Sequence, residues 1–118
     1  MEKAILDALS SAGADVAGAL ERLGGSEALY EKFLKKFIGD ATFPSLKSAM
    51  AGADGEAKRS AAHSMKGVAA NLGLVSLQKA ALETETCLKE NRPEDAQRAF
   101  EKAEKIYNEI TAVLSKLS

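Results

Sequence analysis

The sequence predicts an all-α protein, an antiparallel up-down-up-down four-helix bundle with short extra N-terminal helices. Three observations carry this expectation. Alanine, leucine, lysine and glutamate, all good helix formers, are plentiful, and only two prolines occur, Pro44 and Pro93. Apolar residues recur at helical spacing, and no stretch alternates as a strand does. Glycine, serine, asparagine and proline gather at a few boundaries, leaving four long helical segments joined by short connections, the pattern of antiparallel neighbours in a bundle.

The elements follow in order. Residues 2 to 10 and 15 to 23 read as short helices, separated around Ser10, Ser11 and Gly13 and closed by Gly24 and Gly25. Ser26 can cap the next helix, where Tyr30, Phe33, Phe37 and Ile38 form a stripe that resumes at Leu46 and Met50. Gly39 and Pro44 should kink or interrupt it, and Gly52 ends it. Asp54 can cap a third segment, 55 to 71, and Gly73 makes a short corner. A fourth helix, about 74 to 90, carries Leu74, Leu77, Ala81, Thr84 and Leu88 on one side. Asn91 and Pro93 mark the last boundary. The final helix, 94 to 117, places Ala96, Phe100, Ala103, Tyr107, Ile110, Leu114 and Leu117 at alternating steps of four and three. A single domain over 1–118 is expected, with short helices over 1–25 and the bundle over 26–118.

Composition narrows the function. Sixteen basic and 17 acidic side chains give a net charge of −1, which offers no footprint for nucleic acid or an anionic membrane surface. No apolar run has the length of a membrane span, and no signal-peptide pattern opens the chain. A cytoplasmic protein, or a cytoplasmic piece of a larger one, is expected. One cysteine, Cys87, and one histidine, His63, make neither an internal disulfide nor a metal site. No nucleotide-binding glycine loop is present, so no ATP site of its own is expected.

That single histidine lies in "AAHSMKGVAANLG", residues 61 to 73. At roughly 100° per residue, Ala61, Met65, Val68 and Leu72 stack into a buried stripe, and His63 points nearly opposite. Arg59, Lys66, Gly67 and Ala70 share its face, at offsets of −4, +3, +4 and +7. Gly67 costs a helix interior about 1 kcal/mol relative to alanine, so an exposed glycine there wants a use. Letting another surface approach closely is one. The face thus offers a nucleophile, two cations and a shallow floor. In a hairpin turning at residues 71 to 75, Glu85 of the fourth helix returns to about the level of His63, with Gln78 seven residues away on the same flank. A carboxylate there could accept from Nδ1–H and leave Nε2 free to attack; an ordinary solvated glutamate is the equally weighted alternative.

The constellation resembles the histidine-containing phosphotransfer (HPt) domain of bacterial multistep phosphorelays. The family signature, His-x-x-Lys-Gly, a second glycine six residues on, then a helix with leucine and glutamine near its start, appears as His63, Lys66, Gly67, Gly73, Leu77 and Gln78. The stretch "DVAGALERLGGSEALYEKFLKKF" is similar to the usual lead-in, so the resemblance runs from about residue 14 to 90. It implies a monomeric phosphoryl carrier with His63 as acceptor, Lys66 near the phosphate and Glu85 bonded to the histidine. Arg59, Gly67, Ala70 and Gln78 would face the partner. The implied partners are response-regulator receiver domains and, if this chain is a piece of one, a hybrid sensor kinase, with Mg²⁺ held by the receiver and no cofactor on this chain. Two other readings stay open: the phosphate-accepting domain of a chemotaxis-type histidine kinase, and a non-catalytic helical interaction module.

Overall fold

A computed structural model describes residues 1–117; the bundle boundary read at residue 118 lies outside the described residues. Seven α-helices lie among the described residues: α1 (Lys3–Ser11), α2 (Val16–Arg22), α3 (Glu27–Ile38), α4 (Thr42–Ala51), α5 (Gly55–Asn71), α6 (Val75–Lys89) and α7 (Pro93–Leu114). The bundle has four columns. Helices α3 and α4 together form the first, and α5, α6 and α7 form the others, with α5–α6 and α6–α7 the most extensive packings.

The segment read as one kinked helix from residue 26 is two helices. Gly39 ends α3, and the Asp40 carboxylate takes the backbone N–H of Thr42 at 2.8 Å to start α4. Pro44 falls in the first turn of α4, where its missing N–H costs no helical bond. The two pieces still share one core. Phe43 of α4 stacks on Tyr107 at 4.0 Å and on Phe100 at 5.9 Å, while Phe37 of α3 meets Tyr107 edge-on at 5.6 Å. Both halves therefore close against α7.

On α5 the buried residues are Ala62, Met65 and Ala69, with Leu72 just beyond the helix end. The expected stripe is thus corrected: Ala61 and Val68 are half-buried flanks, and the core-facing arc is turned by roughly 50°. Ala62 and Ala69 are fully buried within the core, and small side chains there allow close helix packing. His63 remains on the outer side.

The N-terminal helices hold the corner between α5 and α6. Gly73 makes that corner in the left-handed region, at φ 70°. Its carbonyl accepts from the Asp15 N–H at 2.7 Å, and Ser76 N–H donates to the Gly13 carbonyl at 3.1 Å. The buried Tyr30 hydroxyl donates to the Leu72 carbonyl at 2.8 Å, and Arg22 donates to the Ala70 carbonyl at 3.3 Å. The corner satisfies the Ala69, Ala70 and Gly73 carbonyls partly by itself, through the N–H groups of Leu72, Leu74, Gly73 and Val75, while the Leu72 carbonyl takes its donor from Tyr30.

Candidate functional site

Helix α5 starts at a strong cap. The Asp54 carboxylate accepts from the backbone N–H groups of Glu56 at 3.0 Å and Ala57 at 3.2 Å. Two turns later the helix presents His63, 66% exposed at its side chain. The antiparallel return of α6 brings Glu85 alongside, and Nδ1 of His63 lies 2.9 Å from Oε2 of Glu85. An ionised carboxylate can only accept, so Nδ1 carries the proton and donates. In the neutral ring Nε2 is then the unprotonated nitrogen, and it has no hydrogen-bond partner among the described residues.

Glu85 is buried, with only 5% of its side chain exposed, which overturns the solvated alternative. Three cation-capable groups surround it. Lys66 donates to Oε1 at 3.0 Å, His63 to Oε2 at 2.9 Å, and Lys89 lies 3.4 Å from Oε2. Burial pushes the Glu85 carboxyl up, but hydrogen bonds from Lys66 and His63, with the charges of Lys66 and Lys89, outweigh it and hold the group below the usual carboxylate range.

This has a pH signature. A carboxyl depressed in the folded state lends stability that is fully present above its unfolded value, about 4.3, and is lost as pH falls through the lower folded value. A Glu85→Gln variant lacks that contribution. Urea melts of the two proteins should show a constant stability gap above about pH 5 that narrows towards pH 3. A gap indifferent to pH would mean the carboxylate gains nothing from its three neighbours.

The other sequence candidates are placed around this cluster. Arg59 is one turn before His63 and forms no hydrogen bond or ion pair among the described residues. Gly67 is exposed, and a Cβ built on it meets nothing within 4 Å. Ala70 is half-buried, its carbonyl occupied by Arg22. Gln78 is half-buried near the corner, and its side chain makes no hydrogen bond among the described residues. His63, Lys66 and Glu85 thus form one bonded unit, while Arg59 and Gly67 adjoin it on the open face. Sequence reasoning missed Lys89. Its spacing of four from Glu85 was a signal, but such pairs are common on solvated helix faces.

A family model described as Hpt domain matches residues 33–117. The match takes in all of α4 to α7; α1, α2 and the first half of α3 precede it, so most of the lead-in stretch lies outside the matched residues. No curated protein and no solved structure matches the chain.

Proposed function

The chain belongs to the Hpt domain family, whose members carry out histidine phosphotransfer in phosphorelays, and from that premise we propose that it shuttles a phosphoryl group between receiver-domain aspartates through His63. The observation that supports this most is the 2.9 Å contact from Nδ1 to the buried Glu85, which leaves Nε2 open on an exposed ring.

The chemistry then needs little from this chain. The Nε2 lone pair attacks phosphorus in line with the bond to the aspartyl oxygen, that bond breaks, and its electron pair leaves with the aspartate carboxylate. The proton on Nδ1 stays where Glu85 holds it, so no general base is required. Lys66 uses one of its three donors on Glu85 and has others for the equatorial phosphoryl oxygens; Arg59 adds a second cation on the same face. Onward transfer to a second receiver is the same step in reverse. No group of three or more His, Cys, Asp or Glu side chains is placed to hold a metal among the described residues, and in this reading the Mg²⁺ belongs to the receiver. No helix is long and apolar enough to cross a membrane among the described residues; a cytoplasmic location is part of the proposal.

Incubation with three donors tests the reading. Acid-labile, base-stable label taken from a phosphorylated receiver supports the relay. Label taken only from a kinase domain with ATP replaces it with the chemotaxis-type reading. Label from neither leaves an interaction module.

Gly67 supplies a sharper test of receiver docking. A Gly67→Gln side chain enters open space, so the bundle should hold and gain a few tenths of a kcal/mol from helix propensity. Transfer from a receiver should fall strongly, whereas phosphorylation by phosphoramidate, which needs no second protein to fit, should change little. Equal rates from both donors would remove Gly67 from the docking face.

A further inference from the structure

Lys89 sits at the end of α6, one turn beyond Glu85, and is 61% exposed. On most helices a lysine four residues after a glutamate is a solvated pair of little consequence. Here the partner oxygen is different. The Glu85 side chain is 5% exposed, and Lys89 approaches Oε2, the same oxygen that accepts from His63 Nδ1. Lys66 takes the other oxygen. With one cation beside each oxygen, the two ammonium groups favour a single orientation of the carboxylate, the one in which Oε2 also meets the imidazole Nδ1 at 2.9 Å.

We infer that Lys89 is a second positioning residue of the phosphoacceptor, holding Glu85 Oε2 so that His63 keeps its proton on Nδ1 and its Nε2 outward. This rests on the phosphotransfer reading of His63. Lys89 itself need not touch the phosphoryl group. Its effect passes through the carboxylate, which stays ionised between two ammonium groups and so leaves the proton on the imidazole throughout transfer. The phosphorylated ring therefore remains a protonated, good leaving group for the next receiver.

The test compares Lys89→Met, Lys89→Arg and a control, Lys79→Met, which removes the same charge from α6 at a residue without an ion pair among the described residues. Two readouts are used on the full chain: nitrogen-15 NMR of the histidine ring, which reports which nitrogen carries the proton, and the rate of phosphorylation by phosphoramidate. Lys89→Met should shift the ring from one Nδ1–H form towards a mixture of tautomers and slow phosphorylation by about twofold to fivefold, the range of an exposed ion pair. Lys89→Arg should restore both, and Lys79→Met should move neither. Unchanged tautomer and rate in Lys89→Met overturn the inference, as does an equal loss in Lys79→Met, which would reveal an effect of net charge. If the wild type takes no phosphate at all, the phosphotransfer reading fails, and the NMR arm still shows whether Lys89 acts on the imidazole through Glu85.

Discussion

A His63→Gln variant takes up no acid-labile phosphoryl label from any donor that labels the wild type. His63 is the sole histidine in the chain, so no second imidazole can substitute. The loss should be complete, because the glutamine amide offers no nucleophilic nitrogen of comparable strength. The fold should not be at fault. The ring is 66% exposed, and substitutions at such positions usually stay within about 0.5 kcal/mol. Glu85 keeps Lys66 and Lys89 beside it, so no buried charge is stranded. Matched urea melts with phosphorylation assays on both proteins give the check; persistent acid-labile label on the variant would show that His63 is not the acceptor.

Gly73→Val should be strongly destabilising, by about 3 kcal/mol or more. The corner holds φ at 70°, a region that β-branched side chains avoid. A Cβ there would also stand 2.9 Å from the Asp15 carbonyl oxygen and 2.9 Å from the Ala19 Cβ. The first is backbone and the second is a buried methyl, so neither neighbour can swing aside. Either α2 lifts away, breaking the bond from Asp15 N–H to the Gly73 carbonyl, or the corner opens. Urea unfolding measures the change. A loss below about 1 kcal/mol would mean the corner is more pliable than its packing indicates.

Both predictions come from residues whose roles differ in legibility. His63 and Glu85 could be paired from sequence because a short hairpin turn fixes the register of two antiparallel helices, and 22 residues of separation is within reach of that arithmetic. The burial of Glu85 was not legible, since it depends on how closely α5 and α6 approach. The core-facing arc of α5 runs through Ala62 and Ala69, residues that hydrophobicity ranks below Val68. The break between α3 and α4 was signalled by Gly39 and Pro44, but whether a helix bends or stops is decided by the cap that Asp40 supplies. The bonds that clasp the corner join residues 42 to 63 apart in sequence, and no local pattern announces them.

That clasp separates two ways of drawing the edge of a folding unit. Similarity to the family begins at Phe33. The hydrogen bonds begin much earlier: Tyr30 supplies the donor to the Leu72 carbonyl, and Arg22 and Asp15 add second donors to the carbonyls of Ala70 and Gly73. A fragment cut at the similarity boundary would lose the Tyr30 hydrogen bond to the Leu72 carbonyl, a net contribution of about 1 kcal/mol. It would also strip away the fully buried ring of Tyr30 that covers it. The helix pair bearing His63 and Glu85 is thus anchored at its turn by a segment the family pattern does not describe.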